Sequence, residues 1–143
     1  MFYGEYEYSL DEKGRLIIPA RIRDAMKQGG VTAFMITRGL DECLFLFSLQ
    51  EWQKYVETLD SIPLVKGKAR SFMRMFFSAA AECSLDKQGR IFIPPNLREH
   101  ATIEKDVVII GVRNRIEIWA KSKWEKFSKE ARESYEELAE ELW

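Results

Sequence analysis

The stretch SLDEKGRLIIPARIR, Ser9 to Arg23, returns later in the chain as SLDKQGRIFIPPNLR, Ser84 to Arg98. At a constant offset of 75 the two copies share eight of fifteen positions: Ser9/Ser84, Leu10/Leu85, Asp11/Asp86, Gly14/Gly89, Arg15/Arg90, Ile18/Ile93, Pro19/Pro94 and Arg23/Arg98. In each copy Asp-x-x-Gly suits a tight turn, because the Asp carboxylate accepts from nearby backbone N–H groups and Gly takes a positive φ before the next strand. The triplets LII and IFI then read as short strands. Pro19 and Pro94 open short helices, since the missing proline N–H costs nothing in a first turn. The first of these helices, PARIRDAMKQ, stops at Gly29-Gly30.

The correspondence extends outward from the motif. VTAFMIT and CLFLFS, joined at Gly39 to Glu42, predict one hairpin by their β-branched and aromatic content; KDVVIIGV and IEIWA, joined near Asn114, predict another. Ser48-x-x-Glu51 and Ser122-x-x-Glu125 each read as a capping box, opening the helices SLQEWQKYVETLD and SKWEKFSKEARESYEELAEELW. ARSFMRMFFSAAA, with Phe72, Phe76, Phe77 and Ala80 on one side, predicts a linking helix. The chain of 143 residues is too short for two ordinary independent domains. The expectation is one interlocked fold: a first half over residues 1–65, a linking helix over 66–81 and a second half over 82–143. The class is α+β with a mainly β core, a pseudo-twofold barrel decorated by helices. In the C-terminal helix Trp124, Phe127, Ala131, Tyr135, Leu138 and Leu142 form a stripe that fits either this protein's own barrel or a partner subunit.

The residue inventory excludes several chemistries. His100 is the only histidine and has no nucleophile motif beside it. One His with Cys43 and Cys83 offers no paired metal-ligand spacing, and no glycine-rich phosphate loop occurs. The pairs Asp11-Glu12 and Asp41-Glu42 fall in turns, where solvated carboxylates are the rule. No enzyme, cofactor, metal or small-molecule substrate is expected. The cysteines read as small buried hydrophobes of a reducing compartment. The opening MFYGEYEYS carries acid where an export signal carries positive charge, and no run approaches the roughly 18 apolar residues of a membrane span. The expected location is therefore the cytoplasm.

A formal net charge of -1 conceals an uneven distribution. KGKARSFMR, residues 66–74, is +4, each motif copy is +2, and Glu125 onward is -4. Local field, not the total, steers a polyanion. In the repeated Asp-x-x-x-Arg, the acid either pins the turn through a modest surface pair or aims the Arg fork at phosphate oxygens or a guanine edge. Lys13, Arg21 and Arg23 around the first copy, with Lys87 and Arg98 around the second, favour nucleic acid.

The doubled SLDxxGRxxIPxxxR and the intervening RSFMRMFFS resemble the MraZ family of bacterial transcriptional regulators, essentially from Met1 to Trp143. The resemblance implies an AbrB-like swapped-hairpin β-barrel from two tandem halves, double-stranded DNA as partner, and nucleoid association. It also implies a homo-oligomeric ring on direct repeats in the promoter of its own operon, the division and cell-wall cluster. Carried over by position, the DNA-facing motif falls on Asp11 and Arg15 and on Asp86 and Arg90; Lys13 and Lys87 join them by local charge. The second copy departs at Gln88, where the first has Lys13, and at Pro95-Asn96, where the first has Ala20-Arg21. The rival reading is an oligomeric scaffold or an antitoxin-like protein-binding module working through the acidic C-terminal helix.

Overall fold

The structure, a computed structural model, describes residues 1–143. The first half runs β1 (Phe2–Ser9), β2 (Arg15–Ile17), α1 (Ala20–Gln28), β3 (Ala33–Arg38), β4 (Leu44–Ser48) and α2 (Leu49–Thr58). After a 3₁₀ turn at Leu59–Ser61 and helix α3 (Gly67–Ser78), the second half repeats the order as β5 (Ala81–Ser84), β6 (Arg90–Phe92), α4 (Pro95–His100), β7 (Asp106–Arg113) and β8 (Arg115–Ala120). It closes with α5 (Lys121–Glu133) and α6 (Tyr135–Leu142).

The strands make one antiparallel six-stranded sheet, ordered β1-β7-β8-β4-β3-β5, and a separate ribbon, β2-β6. Exchanging the halves leaves both orders unchanged, so a pseudo-twofold axis passes between β4 and β8 and through the ribbon. Each half lends its first strand to the other: β1 pairs with β7 from Phe2↔Arg113 to Ser9↔Asp106, and β5 pairs with β3 from Ala33↔Ser84 to Ile36↔Ala81. The halves are thus interlocked by backbone hydrogen bonds.

The expected closed barrel is not formed. β1 and β5 remain edges of the sheet. The chain leaves each of them at Ser9 and Ser84 to enter the ribbon, and the ribbon strands pair only with each other. β5, four residues long, is half the length of β1. Shortness protects one edge from stray pairing, and Glu5 and Glu7 protect the other.

The ribbon and the two short helices cover the inner face of the sheet. Leu16 and Ile91 from the ribbon, Ile18 and Ile93 just after it, Ile22 and Met26 from α1, and Leu97 from α4 pack on Phe34, Ile36, Leu44, Leu46, Ile109, Ile116 and Ile118. Each fully buried side chain of this kind stabilises the fold by about 1.5–3 kcal/mol before entropy is counted. Cys43, Phe45, Phe47 and Trp119 occupy the outer face beneath Trp52, Tyr55 and Trp124. Both faces of β4 are therefore covered, and all five of its residues are buried, which is why its sequence does not alternate. The linking helix α3 stacks Phe76 on Trp52, with ring centroids 5.5 Å apart, and is tied to β3 by the Thr37 hydroxyl, which donates to the Phe76 carbonyl at 2.5 Å.

The helix signals hold unevenly. Ser48 caps α2, its Oγ accepting from the Glu51 amide at 3.1 Å. Ser122 does not cap α5, which begins at Lys121 with Ala120 at the N-cap and no side-chain cap. Past the hairpins the two halves align at an offset of 72, placing Ala120 opposite Ser48 and Trp124 opposite Trp52. The expected single C-terminal helix is broken at Ser134, whose hydroxyl donates back to the Glu130 carbonyl at 3.2 Å and competes with the helical ladder. Its stripe divides accordingly. Trp124 and Phe127 lie against Trp119 at 5.4 and 5.0 Å, whereas Tyr135, Leu138 and Leu142 face solvent. Both cysteines are free; burial pushes the Cys43 thiol far up and the Cys83 thiol up to about 11, which disfavours the thiolate form of each. No helix is long and apolar enough to cross a membrane.

Candidate nucleic-acid interface

The two motif copies build two near-identical turns. In the first, Asp11 Oδ1 accepts from the amides of Lys13 and Arg15, both at 2.9 Å, while Oδ2 accepts from Arg15 Nε at 2.7 Å. In the second, Asp86 Oδ1 accepts from the amides of Gln88 and Arg90 at 2.9 Å, and Oδ2 from Arg90 Nε at 2.8 Å. Gly14 and Gly89 close the turns at φ +80° and +76°, a conformation that an L side chain adopts only under strain. The hydrogen bond from the Arg15 amide, followed by those from its Nε and the Lys13 amide, holds the Asp11 carboxyl below its ordinary value; the Arg90 and Gln88 donors do the same for Asp86. Both acids are therefore ionised at neutral pH.

The ribbon brings the arginines together. Its register is Arg15↔Phe92, Leu16↔Ile91 and Ile17↔Arg90, so Leu16 and Ile91 face the core while Arg15, Ile17, Arg90 and Phe92 share the outer face. The arginines stand on one diagonal of that face, and Ile17 (42% exposed) and Phe92 (49% exposed) on the other. Asp11 lies between the arginines, since Arg90 Nη1 approaches its Oδ2 to 3.6 Å. The two sites are consequently unequal. Arg90 is held by two carboxylates and its side chain is 21% exposed; Arg15 is held by one through Nε, is 34% exposed, and has no partner in the chain for its two terminal nitrogens. Lys13 and Lys87 are exposed within the turns.

The remaining basic residues of the motifs serve other ends. The ribbon is locked across the axis by the Ile18 amide donating to the Gly89 carbonyl and the Ile93 amide to the Gly14 carbonyl, both at 2.9 Å. Arg23 donates through Nε to the Ile18 carbonyl at 2.9 Å, and its Cδ lies 2.9 Å from where a Cβ on Gly89 would stand. Arg98 occupies the reciprocal place, its Cζ 3.0 Å from a Cβ built on Gly14. Each copy's last arginine thus buttresses the other copy's turn. Arg21 lines a groove with Phe2, Tyr3 and Tyr6 between α1 and β1. By charge alone all three belong to the basic surface, whereas Ile17 and Phe92 are marked only by the alternation along LII and IFI, which gives their outward direction.

The assembled face sets the two arginines beside two exposed apolar side chains, Ile17 and Phe92. Both guanidinium groups are fixed at Nε; Arg15 leaves both terminal nitrogens without a partner in the chain, which suits bidentate contact with phosphate or a base edge, whereas Arg90 has one terminal nitrogen beside Asp11. Comparison with known proteins adds the ancestry. The family model for "MraZ protein", whose description adds a likeness to antitoxins, matches residues 1–75 and again 76–143. The chain belongs to the MraZ family. Three proteins named "Transcriptional regulator MraZ" illustrate the likeness. That of Heliobacterium modesticaldum is 51% identical over 142 residues, covering 99% of this chain and 96% of the relative. Those of Pelotomaculum thermopropionicum and Caldanaerobacter subterraneus subsp. tengcongensis are 53% and 52% identical over 142 residues, covering 99% of this chain and 95% and 96% of the relatives. The two family matches divide this MraZ chain in the same order as its repeated turns.

Proposed function

We propose that this protein is a sequence-specific, DNA-binding transcriptional regulator that presents the outer face of the β2-β6 ribbon to double-stranded DNA. The observation that carries the reading is the pair of Asp-oriented arginines, Arg15 and Arg90, on the exposed face of a rigid two-stranded ribbon. A two-stranded ribbon fits the major groove, which is roughly 12 Å wide. Arg15 is assigned the leading contact, Arg90 the second; Lys13 and Lys87 bind flanking phosphates, and Asp11 and Asp86 orient the forks. Ile17 and Phe92 suit thymine methyl groups, the apolar feature of that groove. The names of the relatives support a role in transcription.

One such face makes few contacts, too few for the specific affinities of about 10⁻⁸ M or tighter that regulators reach. The proposed remedy is a homo-oligomeric ring, acting in the cytoplasm at the nucleoid on direct repeats in the promoter of the protein's own division and cell-wall operon. Once one subunit is bound, its neighbours bind intramolecularly, and avidity adds roughly 10² to 10⁴ when repeat spacing matches subunit spacing. The test is a titration of the protein's own upstream DNA, intact and trimmed to a single repeat. The intact fragment should bind far more tightly than loss of length explains; equal affinity for both fragments would refute the multivalent account.

A further inference from the structure

Arg15 stands on a turn whose support belongs to the other half of the chain. Gly14 directly precedes it, so the backbone at Gly14 sets the direction in which the Arg15 side chain leaves the ribbon. A glycine restrains its own backbone least of all residues, and the restraint here comes from outside. The Ile93 amide donates to the Gly14 carbonyl at 2.9 Å, and Arg98 lies over the open side of the glycine. Its Cζ, Nη1 and Nη2 stand 3.0, 3.2 and 3.2 Å from the place of a Gly14 Cβ, so the guanidinium plane lies face-on across that position. Arg23 takes the reciprocal place on Gly89 less squarely, with Cδ and Nη1 at 2.9 Å and Cζ at 3.1 Å.

Neither Arg23 nor Arg98 forms an ion pair. Arg23 still satisfies its Nε by donating to the Ile18 carbonyl at 2.9 Å. The Nε of Arg98 is buried and has no partner. A buried donor left unpaired costs stability, and folded proteins keep few of them. What Arg98 gains in exchange is its contact with Gly14. A flat, weakly hydrated guanidinium can pack against backbone in this way, whereas a compact, strongly hydrated ammonium cannot.

We infer that Arg98 is a positioning residue for DNA recognition: from the second half it fixes the first half's turn, and with it the aim of Arg15. Arg23 does the same for Arg90. Each reading arginine is therefore set from across the pseudo-twofold axis, and neither half aims its own. Direct phosphate contact is the competing role for an unpaired arginine, but Arg98 is half-buried and its guanidinium face is taken up by Gly14. The functional consequence rests on the role given to Arg15 above; the crossing of support between the halves does not.

Hydrogen exchange of the full chain without DNA, read by mass spectrometry, tests the crossing. The Lys13 and Arg15 amides, both donated to Asp11, report on the first turn, and the Gln88 and Arg90 amides, donated to Asp86, on the second. Arg98→Met keeps the bulk of the stem and removes the fork. It should speed exchange over residues 11–15 by roughly 5- to 10-fold, the equivalent of one hydrogen bond, and leave residues 86–90 as in the wild type. Arg23→Met should do the reverse. Arg98→Lys, which keeps the charge without the plane, should behave as Arg98→Met does. In anisotropy with the promoter fragment, Arg98→Met should lose part of the affinity that Arg15→Ala loses. The double variant should lose no more than Arg15→Ala alone, because Arg98 acts through Arg15. Exchange unchanged in both turns, raised in both alike, or raised by Arg98→Met in its own half would overturn the inference, as would losses that multiply in the double variant. Full affinity of Arg15→Ala would instead remove the DNA reading, while the exchange pattern would still decide whether support crosses the axis.

Discussion

Replacing Arg15 by alanine removes the one guanidinium of the ribbon whose two terminal nitrogens both stand free of the chain. The turn should survive, because Asp11 still accepts from the Lys13 and Arg15 amides and the β2-β6 register is made by backbone. The solvent-screened pair with Asp11 contributes little to stability. Binding should change much more. A bidentate arginine on a base edge is worth about 1–3 kcal/mol of discrimination, or about 5- to 150-fold at 1.4 kcal/mol per decade. Where two subunits engage separate repeats, well-separated losses add in free energy, giving roughly 25-fold to 2 × 10⁴-fold. That consumes much of the 10³- to 10⁷-fold margin by which regulators typically prefer their sites. Fluorescence anisotropy against the upstream fragment, with sedimentation as control, reads the loss. Arg15→Lys separates the two forms of contact. If Arg15 reads a base edge, the lysine variant loses most of the specificity; if it binds phosphate, lysine restores most of the affinity and the salt dependence. Full affinity of Arg15→Ala at unchanged oligomeric state would refute the role given to Arg15.

Gly111→Ala tests the interlocked strands: its Cβ would stand 2.3 Å from the Tyr3 amide nitrogen and 2.7 Å from Tyr3 Cα, backbone atoms of β1 that no rotamer change moves. The variant should lose about 1–3 kcal/mol in urea unfolding; an unchanged midpoint would contradict the β1-β7 register. Glu117→Ala, on the outer face of the sheet, strips the acceptor from Trp119 Nε1 at 3.0 Å and the partner from Arg115 at 2.8 Å, and should cost about 2–3 kcal/mol. Glu117→Gln, which keeps an acceptor for the indole, should recover part of that loss; equal loss from both would point to the charge alone. Asp11 and Asp86, with folded values below the ordinary one, contribute turn stability that is present above the unfolded aspartate value near 3.9 and is lost as pH falls through the folded values. Carboxyl NMR should show both titrating below that value, and a midpoint at or above it would contradict the hydrogen bonding of the turns.

Much of this architecture is written in local sequence. The Asp-x-x-Gly turns, the two hairpins and the Ser48 cap depend on neighbours within a few residues, and each stands where its residue types place it. Closure of the barrel depended on whether β1 and β5 meet, a question of sheet curvature and strand length to which alternation is blind. The start of α5 is not marked by Ser122, which falls within its first turn, because the second half tolerates Ala120 where the first uses Ser48. Arg23 and Arg98 carried a readable sign. They recur in both copies whereas Arg21 does not, as expected of residues that each support the opposite turn. The inequality of Arg15 and Arg90 had no sequence signal, since the approach of Arg90 to Asp11 exists only across the folded ribbon.

The most direct test of DNA recognition by the ribbon is anisotropy of the purified full chain against its own upstream promoter fragment and a scrambled fragment of equal length and composition, at moderate salt. Recognition through the ribbon predicts tight, steeply salt-dependent binding to the promoter fragment and weak binding to the scrambled one. Equal, weak binding to both would contradict it, and would leave the arginine turns as a solvated surface of the fold.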